Sequence, residues 1–334
     1  MGKTALVISG GGSKGAFAVG VLDYMHTNIM KVDAFDIYCG TSTGSLIVPL
    51  AACGEIDLLR RIYTKTQQNE VLIKGGITNL LRGISIHDAS PLRLLILETI
   101  RKLDFNRILD TSLFLSTVCL QTENLVYWAT KPILSKGAYD LELIDSINIL
   151  GGAMLASSSQ PVFMQPVRMR GADYVDGGVR EITPLQAAVD AGAETIFSIT
   201  LSPDSLPPDP RPLTTAFQIL GRTLDIFSED VGQNDYRLAR LYESGNQYLA
   251  DVRNALLAQN VPAGLINQAF ALAGNPFAGT AVRTIHEIRP AAKLEEGGEG
   301  GLTFNPVAME SMYNKGLAQA KLFFDSLPVN QPVA

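Results

Sequence analysis

A serine hydroxyl becomes a nucleophile when the chain lifts it clear of a sheet and gives its proton somewhere to go. Gly40-Thr41-Ser42-Thr43-Gly44 has the form that does the lifting. It follows the short apolar run Phe35-Asp36-Ile37-Tyr38-Cys39 and leads into an apolar helical stretch from Ser45 onward. In such a G-x-S-x-G elbow the strand-to-helix turn is tight enough that side chains at the flanking positions would collide, hence Gly40 and Gly44. The helix behind it directs its positive end at the charge a reacting hydroxyl develops. Ser42 is therefore read as a nucleophile. A second glycine-framed segment, Gly10-Gly11-Gly12-Ser13-Lys14-Gly15, follows the apolar strand Ala5-Leu6-Val7-Ile8. Glycines there leave backbone amides uncovered, and beside an elbow such a loop reads as an oxyanion hole. Each fixed donor stabilises a tetrahedral oxyanion by about 3 kcal/mol. Gly11 and Gly12 are the principal donors on this reading, framed by Gly10, Lys14 and Gly15. Lys14 either adds positive potential or is simply solvated.

A nucleophilic serine needs a base, and the chain has three histidines: His26, His87 and His286. His26 falls near the end of the first helix, and His87 opens the turn Asp88-Ala89-Ser90-Pro91. His286 lies in an alternating segment that reads as an ordinary strand. His26 and His87 read as surface or capping residues rather than bases. Asp176 is different, because it closes a short strand and is followed by Gly177-Gly178. Its carboxylate either accepts the Ser42 proton or bonds its own turn, a common habit of Asp-Gly, and the residues alone leave both readings open.

Other chemistries fit less well. Gly10 to Gly15 also satisfies the dinucleotide pattern G-x-G-x-x-G with Asp33 downstream, but that acid should end the second strand, whereas Asp33 precedes it. A phosphate-binding P-loop fails because Lys14 is followed by Gly15. Cys39, Cys53 and Cys119 are odd in number and form no C-x-x-C pair, so they read as small buried hydrophobes, without disulfide or zinc. No metal and no cofactor is expected.

These residues need a scaffold, and 334 residues can bury a large core. Residues 1–60 read strand, glycine loop, helix, strand, elbow, helix, which implies parallel strands with right-handed crossovers. Residues 91–104 read as helix, Ser112 to Leu120 and Leu125 to Thr130 as a hairpin, and Asp145 to Ala156 as helix. Val162 to Val167 and Asp173 to Asp176 flank a turn at Arg170-Gly171. Pro184 to Gly192 reads as helix and Thr195 to Leu201 as a buried strand. Beyond a proline-dense connection, Pro203 to Pro212, helical stretches from Leu213 to Ala273 and Asn305 to Leu327 wrap the same domain, with Glu295 to Gly301 as a flexible loop. A net charge of −6 without a basic stripe argues against nucleic acid. No apolar run is long enough to span a bilayer, and a strand at Thr4 leaves no room for a signal peptide. The expectation is a cytoplasmic protein, free or peripheral at a membrane.

Taken together, these motifs resemble those of the patatin-like lipid acyl hydrolases. The similarity is carried by the oxyanion loop Gly10 to Gly15, the elbow Gly40 to Gly44, Asp176-Gly177-Gly178, and the segment Ala156 to Phe163. It covers roughly residues 4–201. The resemblance implies a three-layer α/β/α sandwich with a mainly parallel sheet, as a single domain over residues 1–334 with helical additions over about 213–330. It also implies a Ser42–Asp176 dyad, without histidine or metal, acting on fatty-acyl esters of phospholipids, lysophospholipids or neutral lipids at a membrane surface. Thr183 departs from the family, which often has Asn before this proline. An acyltransferase of related architecture would use a histidine base and a carboxylate-binding arginine, for which no candidate is evident. A silent lipid-binding module is disfavoured by the intact Ser42 and Asp176.

Overall fold

Four apolar residues in a row, Ala5 to Ile8, leave their strand no face for solvent. In the computed structural model that strand lies inside a nine-stranded sheet. The residues described are 2–76, 83–133, 139–205, 208, 210, 212–272, 275, 277 and 283–327. In chain order the elements are β1 (Lys3–Ile8), α1 (Gly15–Asn28), β2 (Ile37–Thr41), α2 (Thr43–Ala52), α3 (Ile56–Lys65), α4 (Gln68–Val71), α5 (Ser90–Ile100), α6 (Phe105–Asp110), β3 (Ser112–Cys119), β4 (Leu125–Ala129), β5 (Tyr139–Leu143), α7 (Ile147–Ser157), β6 (Val167–Met169), β7 (Ala172–Asp176), α8 (Leu185–Asp190), β8 (Ala193–Ile199), α9 (Ala216–Ala258), α10 (Ala263–Phe270), β9 (Thr284–Ile288) and α11 (Pro306–Ser326).

The main path of the sheet runs β5-β4-β3-β2-β1-β8-β9, and the pairs β1/β2, β1/β8, β2/β3, β8/β9 and β4/β5 are parallel. Helices cover both faces, as the three-layer expectation requires. One apolar cluster packs α1, α2, α5, α7 and α11 on one side; a smaller one gathers Leu185, Ala187, Ala188 and Tyr236 on the other. The helix α1 is apolar on most of its surface because α11, α3 and the apolar core cluster cover it. The Tyr313 hydroxyl of α11 bonds Asp23 of α1, which also holds Arg60 of α3. Among the described residues, no helix is long and apolar enough to cross a membrane.

One topological detail positions the site. The edge of β3 facing β2 is shared by two strands: β2 pairs in parallel with residues 112–116, and β7 runs antiparallel along residues 117–119. Thr41 sits opposite Ser116 and Asp176 opposite Thr117. Two strands thus meet end to end on one neighbour, bringing Ser42 and Asp176 together from 134 positions apart in sequence.

Several local expectations shift. The run Val162 to Val167 gives only its last residue to a strand, β6 (Val167–Met169), since Pro161 and Pro166 have no amide for a ladder. The long helical stretch divides at Val261-Pro262 into α9 and α10, because proline cannot continue a helix. Parts of the connection from Pro203 to Pro212, Ala273, and the chain beyond Leu327 lie outside the described residues. Glu295 to Gly301 forms two 3₁₀ turns packed on the glycine loop, rather than a free loop. The segment around His286 is β9, as its alternation predicts, and it joins the same sheet beside β8.

Candidate active site

Ser42 stands between β2 and α2 with φ 54° and ψ −122°, a conformation that costs a non-glycine residue on the order of 1–3 kcal/mol. Its surroundings hold it there. The Ser42 amide donates to Ser157 Oγ at 2.9 Å, and its carbonyl accepts from Ser45 Oγ at 2.6 Å and from the Ser45 amide at 2.9 Å. Both elbow glycines are required by close approach. A Cβ on Gly40 would lie 2.5 Å from the Gly44 carbonyl, and one on Gly44 would lie 2.2 Å from the Ile8 carbonyl oxygen. The serine is 8 % exposed.

Asp176 ends β7 and caps the 3₁₀ turn Gly177–Val179, its Oδ1 accepting from the Gly178 amide at 2.8 Å. Its own amide donates to the Ser159 carbonyl at 3.0 Å. The carboxylate therefore bonds its own turn, and the Ser42 hydroxyl is near enough to bear on its charge. The turn-bonding reading of Asp176 is thus observed directly. Burial pushes the Asp176 carboxyl up to about 6, while the neighbouring Ser42 hydroxyl and the Gly178 amide pull it back down.

The loop from Gly10 to Gly15 lies alongside. Gly12 has φ +60°, and a Cβ there would meet the Gly301 carbonyl oxygen at 2.2 Å. The Gly10 amide is already taken by the Ile182 carbonyl at 2.9 Å. Gly10 therefore anchors the loop, whereas the amides of Gly11 and Gly12 have no acceptor among the described residues. The Lys14 amide bonds the Gly11 carbonyl, and Gly15 starts α1. Lys14 is half-buried, not solvated. Burial lowers the pKa of its ammonium, Asp225 of α9 opposes this, and Lys293 adds to it. Asp225 also accepts the Gly300 amide at 3.2 Å, tying α9 to the turn beneath Gly12.

Ser42, Asp176, Gly10, Gly11, Gly12 and Lys14 all line one cavity of about 920 Å³, near the top of the usual range of about 300–1,000 Å³ for ligand pockets. Leu46, Leu72, Leu92, Met164, Phe304 and Met309 give it an apolar wall. Gly15, Gly40, Gly44 and Gly177 stand behind this surface as framework, while Gly178 lines it. None of the three histidines reaches the cavity. His26 Nδ1 accepts the Val32 amide, His87 Nδ1 accepts the Gly75 amide, and His286 stacks on Phe197. Asp33, the acid of the dinucleotide reading, pairs with Arg107. Cys39 and Cys119 are buried, and Cys53 is half-buried.

Sequence reasoning missed three supports: Ser157 Oγ under the elbow, Ile182 behind Gly10, and Gly301 against Gly12. Ser157 sits in the segment singled out by resemblance, which was a signal; the other two arise from contacts across more than 150 residues.

The model of the patatin-like phospholipase family matches residues 6–189. Among curated proteins, YjjU of Escherichia coli (strain K12) is 27 % identical over 213 residues, covering 61 % of this chain and 54 % of that protein. The probable lipid hydrolase 463L of Invertebrate iridescent virus 6 is 26 % identical over 200 residues, covering 55 % of this chain and 62 % of its own. The chain thus spans little more than half the length of these relatives. The crystal structure of VipD from Legionella pneumophila aligns at a TM-score of 0.42 with 11 % identity, over 97 % of this chain and 67 % of that one. With the family model covering more than half of its residues, elbow, glycine loop and Asp176 included, this chain belongs to the patatin-like phospholipase family.

Proposed function

We propose that this protein hydrolyses fatty-acyl esters of lipids through a Ser42–Asp176 dyad and an acyl-enzyme. The observation that carries this reading is that Ser42, the buried Asp176 carboxylate, and Gly11 and Gly12, whose amides have no acceptor among the described residues, line one apolar-walled cavity. Ser42 Oγ attacks the acyl carbonyl carbon, and its proton passes to Asp176. The carbonyl electron pair moves to oxygen, where the Gly11 and Gly12 amides meet the charge. As the intermediate collapses, Asp176 returns the proton to the departing alcohol, leaving the acyl group on Ser42. Water then attacks, again deprotonated by Asp176, which gives the fatty acid and restores the serine. The apolar wall of Leu46, Leu92 and Met309 holds the acyl chain, and its hydrophobic burial supplies binding that orients the ester. A carboxyl raised to about 6 is ionised at neutral pH yet basic enough to take a proton.

Fatty-acid release from phosphatidylcholine, lysophosphatidylcholine and triacylglycerol in mixed micelles tests the reading. At least one of these esters is expected to be cleaved, and Ser42→Ala should bring the rate to background with Tm nearly unchanged. Turnover by Ser42→Ala well above background would overturn the assignment.

A further inference from the structure

The helix α9 contributes a carboxylate that never touches the cavity yet holds the backbone behind it. Asp235 Oδ2 accepts the amides of Ile182 and Thr183, each at 2.9 Å. These two residues lie three and four positions after the turn that Asp176 caps. The Ile182 carbonyl in turn accepts the Gly10 amide at 2.9 Å. The Ile182 side chain fills the space beside both catalytic loops: its Cδ1 lies 2.7 Å from where a Cβ would stand on either Gly10 or Gly178. Its Cγ2 lies equally close, at 2.6 Å, to the Cβ position of Gly232, one turn before Asp235 on α9. One short segment is thus clamped by α9 through two hydrogen bonds and a packed side chain, and it braces the glycine loop and the Asp176 turn at once.

We propose that Asp235 is a positioning residue for the reaction: by holding residues 182–183 it sets the Gly11 and Gly12 amides and the Asp176 carboxylate at the distances Ser42 chemistry needs. This rests on the Ser42–Asp176 reading above. Two amide donors on one half-buried carboxylate oxygen are charge-assisted and stronger than neutral bonds, so the clamp is stiff. Without it the Ile182 carbonyl, and with it Gly10, is released from α9. A misplacement of about 1 Å at a catalytic group costs on the order of a hundredfold in rate. Burial pushes the Asp235 carboxyl up to about 7, and the same two amides pull it back, as they must if they favour the ionised oxygen. Asp235 lies outside the cavity wall, whereas its neighbours Asn234 and Tyr236 line it, so substrate binding and positioning separate on this helix.

The test compares the full chain with Asp235→Ala, Asp235→Asn and Asp235→Glu, each assayed well below its own Tm. For Asp235→Ala we expect kcat to fall about a hundredfold with KM within about threefold. Affinity for a long-chain trifluoromethyl ketone, whose adduct on Ser42 carries an oxyanion, should fall in parallel. Affinity for an ether lipid, which carries no reacting carbonyl, should stay parental. Asp235→Asn, which keeps an acceptor oxygen, should recover most of kcat. Should the alanine variant fail to fold, Asp235→Glu keeps the charge but displaces the clamp by a methylene, and the same split is expected at about tenfold or more. Parental kcat and ketone affinity in folded Asp235→Ala or Asp235→Glu would overturn the proposal, as would a loss falling equally on ether-lipid binding. Ser42→Ala run alongside separates the two claims: if it retains activity the dyad reading fails, whatever Asp235 does.

Discussion

The acceptor proposed for the Ser42 proton is a buried carboxylate that also bonds its own turn. Its raised pKa has two measurable consequences. As base, Asp176 must be ionised, so kcat/KM should rise with pH through a limb near 6. Asp176→Asn should lower kcat by about a thousandfold and remove that limb. Stability should move the other way. The native carboxyl holds its proton up to about 6, the unfolded one only to 3.8, so the native state loses stability as pH rises through that window. The full penalty, roughly 3 kcal/mol, is present above it. Asp176→Asn should therefore melt at a higher temperature than the parent at pH 8, with the gap closing toward pH 4. A variant less stable than the parent at pH 8 would contradict the burial argument.

At the scale of elements, the loop and the elbow were legible because each depends on backbone geometry that only a few residue types satisfy. Gly40 and Gly44 are dictated by contacts within the same turn or with the adjacent strand end at Ile8, and spacing alone exposes such constraints. The hairpin of β3 and β4 was legible for the same reason, its turn being local. The meeting of β2 and β7 on one edge of β3 was not, since periodicity names strands but does not pair distant ones. The packing of Gly301 on Gly12 was equally invisible, and it makes a prediction. Gly12→Ala must strain a left-handed backbone, by about 1–2 kcal/mol, and also push a methyl into the Gly301 carbonyl. It should lower Tm and reduce kcat by about a hundredfold, with KM little changed. If Gly12→Ala kept parental kcat, the Gly12 amide would not be an oxyanion donor.

For the whole molecule, the placement of its histidines offers a test of the proposed dyad against the commoner triad built on the same elbow. All three have structural partners away from the cavity. Changing His26, His87 and His286 together to Gln should leave kcat/KM within about threefold, where losing a triad histidine costs about 10⁴-fold or more. Because His286 stacks on Phe197 in the core, that variant is to be assayed below its own Tm. The central claim is that Ser42 is activated by Asp176, and mapping the adduct of a lipid-like fluorophosphonate tests it most directly. One adduct per chain on Ser42 is predicted, forming faster as pH rises through about 6 and scarcely at all in Asp176→Asn. An adduct on another residue, or a Ser42 adduct formed as fast in Asp176→Asn as in the parent, would contradict it.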